Sequence, residues 1–110
     1  MDDQKLIQKY LPLSESTYYI LLSLVEPLHG YGIMQKTQQA SNDSVKLGPG
    51  TLYGALSKLE KEDLISMTLA EDRRKNYQLT PKGKRVLYLE IKRLEVLVNN
   101  GAAILDRLLP

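Results

Sequence analysis

A chain of 110 residues with 43% apolar and 25% charged side chains has the size and make-up of one folded domain with at most a short appendage. That composition excludes a disordered acidic tail, a collagen-like repeat and a low-complexity polymer. The formal net charge of +2 names no partner, but its distribution is uneven: residues 1–72 hold 6 basic and 10 acidic side chains, residues 73–85 hold 6 basic and 0 acidic, and residues 86–110 hold 3 of each. Cysteine is absent, so no disulfide framework, thiol nucleophile or cysteine-based zinc site is expected, and the single histidine, His29, is too few for a metal site of imidazoles. No basic leader precedes an apolar core, and no apolar run approaches the ~20 residues that span a bilayer, so a cytoplasmic protein without membrane contact is expected. All 7 aromatic residues are Tyr, which leaves Leu, Ile and Val to build the core.

Residues 4–11 suggest a short helical arm bearing Leu6, Ile7, Tyr10 and Leu11. From Ser14 to Glu26 a cap at Ser14 or Ser16, helical spacing of Thr17, Ile20, Leu21, Leu24 and Val25, and a stop at Pro27 predict a helix. Leu28-His29-Gly30 reads as a tight connection into a shorter helix over Tyr31–Ala40 with Ile33, Met34 and Thr37 inward. Ser41-Asn42-Asp43-Ser44 is turn chemistry. A third helix is predicted over 47–62, with Pro49 in its first turn and Leu52, Leu56 and Leu59 on one face. Its opposite face is small and polar.

The period then changes to 2. Leu64–Leu69 and Asn76–Thr80 read as strands of a hairpin whose tip is Ala70 to Lys75, with Ile65, Met67, Tyr77 and Leu79 inward. Thr80-Pro81 starts a last helix expected to run to Leu109, about 29 residues or roughly 43 Å. Leu87, Ile91, Leu94, Val98, Gly101, Leu105 and Leu108 follow alternating spacings of four and three along it, a stripe longer than one small domain can cover. A second copy of the chain is the expected cover. The division that follows is a domain over 1–80 with its N-terminal arm and a dimerisation helix over 81–110.

Three helices followed by a hairpin is the order of a winged helix-turn-helix, a mainly α fold with a small β-hairpin wing, here extended by the long C-terminal helix. The polar face of the third helix suits a DNA major groove, and Arg73, Arg74 and Lys75 stand where a wing meets phosphates, with Lys82, Lys84 and Arg85 beginning the next helix nearby. A protein-interaction adaptor is the alternative, because a winged fold does not by itself imply DNA.

Several segments together match one family. Glu26-Pro27-Leu28-His29-Gly30-Tyr31-Gly32-Ile33, Leu47-Gly48-Pro49-Gly50-Thr51-Leu52-Tyr53, Leu56 with Leu59-Glu60-Lys61-Glu62, and Arg73-Arg74-Lys75-Asn76-Tyr77 with Leu79-Thr80 and Gly83 resemble the PadR family of bacterial transcriptional regulators, in its short branch with a single C-terminal helix. The resemblance implies a homodimeric repressor on inverted-repeat promoter DNA. It also implies release by a small apolar or aromatic effector in control of phenolic-acid or drug-efflux genes. The implied DNA contacts are Gly50, Thr51, Tyr53, Gly54, Ser57, Lys58, Lys61, Arg73, Arg74 and Lys75. Tyr53 suits a phosphate contact and packing under the wing equally, and Gly54 replaces a bulkier residue often found there. The dimer residues are Leu87, Ile91, Leu94, Val98, Leu105 and Leu108. The effector region is Tyr10, Tyr18, Tyr19, Ile91, Glu95, Val98 and Asn99, although the chain has no Trp on which some relatives stack planar drugs.

No catalytic set emerges and no cofactor or metal is expected. Glu60, Glu62, Asp63, Glu71 and Asp72 read as solvated surface, His29 and Tyr31 as structural parts of a turn. Gly48-Pro49-Gly50-Thr51 lacks the Gly-Lys-Ser/Thr ending of a phosphate-binding loop.

Overall fold

The computed structural model describes residues 1–110. Helices α1 (Asp3–Tyr10) and α2 (Glu15–Ser23) are followed by a two-residue strand β1 (Leu28–His29), helices α3 (Gly30–Ala40) and α4 (Pro49–Lys61), strands β2 (Ile65–Leu69) and β3 (Lys75–Leu79), and α5 (Pro81–Ala102), with a final 3-10 turn at Leu105–Leu108. The winged helix-turn-helix expected from the sequence is present: α3 and α4 form the helix-turn-helix, β2 and β3 the wing. Each helix start has a local reason. Asp2 accepts the Gln4 amide at 2.9 Å, Ser14 the Thr17 amide at 3.1 Å and Thr80 the Gly83 amide at 3.0 Å, each satisfying a donor that the first helical turn leaves free. Between α3 and α4 the Ser41 hydroxyl accepts the Val45 amide at 2.9 Å, and Asn42 and Asp43 take left-handed φ of 51° and 67°.

The core joins all these elements. Ile20, Leu21 and Leu24 of the α2 region, Ile33 of α3, Leu52, Leu56 and Leu59 of α4, Ile65, Tyr77 and Leu79 of the sheet, and Val86 and Leu87 of α5 are buried together, and Leu6 brings α1 onto the cluster. The expected boundary at residue 80 therefore does not coincide with an edge of the core, because the first turns of α5 complete it. Gly83 explains how closely they pack: a Cβ there would overlap the Leu64 carbonyl, so only glycine lets α5 cross the start of β2 at this distance.

Four elements differ from the sequence reading by more than one residue at an end. The wing gains a third strand, for the sheet order is β1-β3-β2, all antiparallel, with Leu28 opposite Tyr77 and His29 opposite Asn76. Helix α2 stops at Ser23 rather than Glu26, since the chain must turn for this pairing and the Leu24 carbonyl accepts the Leu79 amide at 3.3 Å; Val25 is left exposed. Helix α4 spans 49–61 rather than 47–62, with Gly48 as its cap. The last helix ends at Ala102, seven residues short of Leu109, just after Asn99, Asn100 and Gly101, three weak helix formers in a row with no neighbouring helix to hold them. Its 22 residues span about 33 Å instead of 43 Å.

Along α5 burial falls steeply. Gly83, Val86, Leu87 and Glu90 are buried, Ile91 and Leu94 are half-buried, and every residue from Glu95 onward is exposed. Val96, Leu97, Val98, Ile104, Leu105, Leu108 and Leu109 lie among these, so the distal helix projects apolar surface beyond its own domain, consistent with principal extents of 55 × 34 × 21 Å.

Candidate nucleic-acid interface

At about 100° per residue, the buried trio Leu52, Leu56 and Leu59 fixes the orientation of α4. Gly50, Gly54, Ser57, Lys58 and Lys61 then face outward, with Thr51 on one margin and Tyr53 on the other, and all seven are exposed. No side chain caps the first turn, where Gly48 is the cap residue and Pro49 follows it, so the amides of Gly50 and Thr51 stand free at the positive end of the helix. A Cβ at Gly50 or Gly54 would meet nothing within 4 Å, which makes this face flat and open to a close partner.

The structure gives Tyr53 a packing role without removing the phosphate contact that the sequence weighed against it. Its ring lies against Gly30, so closely that a Cβ at Gly30 would overlap the phenol oxygen, while 44% of the residue stays exposed. It packs towards the base of the wing and keeps an accessible edge.

The wing tip is a three-residue loop. The Ala70 amide donates to the Arg74 carbonyl and the Arg73 amide to the Ala70 carbonyl, both at 2.8 Å, which is the pattern of a turn followed by one left-handed residue. Arg73 occupies that position at φ 66°, where Gly or Asn is ordinarily found. Asp72 accepts the Arg74 amide at 3.1 Å and pairs with its guanidinium at 2.7 Å, and the Arg74 amide and charge hold the Asp72 carboxyl below the usual range. Arg73 and Lys75 are exposed and make no ion pair.

Two of the three basic residues that begin α5, expected near this surface, are engaged elsewhere. Arg85 grips Asp3 of α1 through two bonds of 2.9 and 2.7 Å, an arrangement that lowers the Asp3 pKa. Lys82 donates to the Glu62 carbonyl at 2.9 Å and lies 5.2 Å from the centre of the Tyr10 ring. Only Lys84 is exposed.

Glu62 is likewise not simple solvated surface. Its carboxylate accepts the Tyr10 hydroxyl at 2.7 Å and pairs with Lys9 at 3.2 Å, contacts that depress its pKa. Together they close one side of an open cleft of about 450 Å³ between α1, α2 and α4. The expected effector residues are therefore divided: Tyr10 sits beside Lys82 at the start of α5, while Val98 and Asn99 lie roughly 24 Å further along the helix. Within one protomer they cannot line one small pocket. Tyr18 and Tyr19 meet edge to face at 5.6 Å, and Glu95 pairs with Lys92 at 3.4 Å. Among the expected dimer residues, Leu87 is used by the chain's own core and Ile91 packs at its edge, leaving Val98, Leu105 and Leu108 as the freest.

Sequence reasoning missed Glu90. The residue is 1% exposed, accepts the Leu13 amide at 2.7 Å and pairs with Arg93 at 2.5 Å, thereby fastening the α1–α2 linker to α5. Burial pushes its carboxyl upward, but Arg93 and the Leu13 amide outweigh that, and the net shift is downward. The signal in the sequence was its position on the apolar side of a helix, between Leu87 and Leu94.

A family model described as the transcriptional regulator PadR-like family matches residues 19–89, from α2 through the wing to the first turns of α5. This chain belongs to the PadR-like family. Its members regulate transcription, bind DNA and typically form dimers. Among solved structures, a PadR family transcription regulator from Clostridium difficile is 26% identical, with a TM-score of 0.71 over 84% of this chain and 99% of that one. A PadR-like transcription factor from Bacteroides fragilis is 33% identical, with a TM-score of 0.60 over 77% and 86% of the two chains. MepR, a transcription regulator of the Staphylococcus aureus multidrug efflux pump MepA, shares the fold at 24% identity and a TM-score of 0.70, over 92% of this chain and 70% of that one. A protein of 37.1 kDa in transposon TN4556 of Streptomyces fradiae is 37% identical over 78 residues, 70% of this PadR-like chain; the chain spans about a fifth of that protein's length, 22%. No helix is long and apolar enough to cross a membrane.

Proposed function

We propose that this PadR-like chain is a homodimeric repressor that binds double-stranded, inverted-repeat promoter DNA and leaves it when a small apolar or aromatic compound binds. The observation that carries the reading is the outward face of α4, flat, polar and uncapped at its N-terminus, beside a wing whose Arg73 and Lys75 have no internal acidic partner. A helix with that face fits a major groove about 12 Å wide, and the wing cations reach flanking phosphates or the minor groove. Gly50, Thr51, Gly54 and Ser57 are the candidates for close approach to bases. Lys58, Lys61, Arg73, Arg74 and Lys75 supply affinity through phosphates.

Dimerisation rests on the distal half of α5, whose Val96, Leu97 and Val98 are each more than half exposed with no core of their own to enter. A two-fold axis there sets two copies of α4 on half-sites about one helical turn, roughly 34 Å, apart. The effector would enter near that axis, against Tyr18, Tyr19, Ile91, Glu95, Val98 and Asn99. The family resemblance carries control of the phenolic-acid or drug-efflux type.

Titration of labelled duplex carrying the inverted repeat upstream of the gene, against a scrambled duplex at two salt concentrations, tests the first part. Tighter binding to the repeat is the expected result, and equal affinity at both salts removes sequence-specific regulation. Light scattering tests the second: the mass should be twice 12.5 kDa for the native chain and fall to one chain for Val98→Asp.

A further inference from the structure

Where the start of α3, the flank of α4 and the base of the wing converge, a hollow of about 430 Å³ opens to the surface, lined by His29, Gly30, Tyr31, Tyr53, Arg74 and Lys75. Three separate constraints assemble its wall. The pairing of β1 with β3 sets His29 opposite Asn76, next in the chain to Lys75. The phenol oxygen of Tyr53 is held against the bare Cα of Gly30. Tyr31, 61% exposed, stands at the rim one residue further on.

Two cations, two phenols and an imidazole line this hollow and no carboxylate does; the Asp72 carboxylate is turned to the Arg74 guanidinium. Such a wall offers donors and positive charge. A phosphodiester offers only acceptors together with a full negative charge, and such a wall matches both. The hollow also borders the Tyr53 margin of α4, so a strand whose major groove holds α4 passes across it.

We infer that this hollow seats one backbone phosphate of the bound duplex, its non-bridging oxygens accepting from the hydroxyls of Tyr31 and Tyr53, with Lys75 supplying charge. The inference rests on α4 and the wing being the DNA surface, and it adds Tyr31 and His29, which the sequence reading treated as structural. Gly30 is a positioning residue, because any side chain there displaces the Tyr53 ring. A phosphate held at this point sets how deeply and in which register α4 enters the groove.

Tyr31→Phe in the full chain is the test, with two probes: a duplex selected by the native protein from a random pool, and an unselected duplex of equal length. Loss of one donor to a charged oxygen should weaken both by about tenfold and leave the salt slope unchanged, while Lys75→Ala lowers the slope by about one for each phosphate the side chain had neutralised. A scan of single methylphosphonate linkages should find one position per half-site where neutralising the phosphate weakens the native protein and erases its advantage over Tyr31→Phe. Thermal unfolding of Tyr31→Phe should match the native chain, which separates contact from folding. Native affinity of Tyr31→Phe for both probes, or a scan with no such linkage, overturns the phosphate seat while the DNA surface stands. A native protein that selects no duplex overturns both.

Discussion

Arg73, Arg74 and Lys75 on the wing and Lys82, Lys84 and Arg85 on the first turns of α5 form one basic stretch in the chain, yet the fold gives the two groups different work. On the wing, only Arg74 has an acidic partner, the exposed Asp72, and the backbone holds Arg73 in a left-handed conformation that keeps the tip turned outward. On α5, Arg85 and Lys82 close onto Asp3, Tyr10 and the end of α4, and further along Arg93 closes onto the buried Glu90. Of the acids in residues 1–72, Asp3 pairs with Arg85 at the start of α5, whereas Arg73 and Lys75 on the wing, like the exposed Lys84, keep no carboxylate partner. A charge count along a sequence locates cations, but the location of their counterions decides which remain available to a polyanion.

The largest effect that follows is on binding. Replacing Arg73, Arg74 and Lys75 together with Ala should reduce affinity for any duplex by about a hundredfold or more and flatten the dependence of log K on log salt, with unfolding little changed. An unchanged slope would place the wing outside the interface and end the contrast.

Glu90→Gln probes the other side. It removes the charge that holds Arg93 and the Leu13 amide, and should lower stability by roughly 1–3 kcal/mol in denaturant titrations. The same pair predicts a pH dependence. Because the Glu90 pKa in the folded chain lies below its ordinary 4.5, its contribution is complete above that pH and is lost as the pH falls through and below it. The Gln variant should show a shallower acid loss, and identical acid profiles would mean that Glu90 is not ionised in the folded chain.

Arg73→Gly divides the two properties within one residue. Removing the Cβ from a φ of 66° should raise stability by about 1 kcal/mol while DNA binding weakens, so the melting temperature and the affinity move in opposite senses. Loss of stability would mean that the Arg73 side chain also holds the tip. The smallest change is expected from Arg85→Ala, which frees Asp3: amides of α1 should exchange faster, global unfolding should shift slightly and the salt slope of DNA binding should stay as in the native chain. A lower slope would return Arg85 to the DNA surface.

Much of this architecture was readable in the chain alone. The cap at Thr80, a serine cap at 14 or 16, the proline at the head of α4, the leucine face at 52, 56 and 59 and the alternation of Ile65, Tyr77 and Leu79 are local signals, set by the geometry of a single helix or strand. So was the candidate interface as a set of residue types. What escaped depends on partners distant in the chain. Strand β1 is two residues long and exists only because β3 lies beside it; α2 stops early for the same pairing; Glu90 is intelligible only with Leu13 and Arg93; and His29 and Tyr31 gain a role only when Tyr53 and Lys75 are brought against them.

The sequence by itself determined the helix-turn-helix, the basic wing tip and a C-terminal helix with more apolar surface than one domain consumes, since each follows from period, capping and composition. Only the tertiary structure decided how that helix divides, with its first turns completing the core through the bare backbone of Gly83 and the segment from Glu95 onward left exposed. It likewise decided which of the 6 basic residues between 73 and 85 remain unpaired, because ion pairing depends on distances between side chains up to 82 positions apart, which no local pattern encodes.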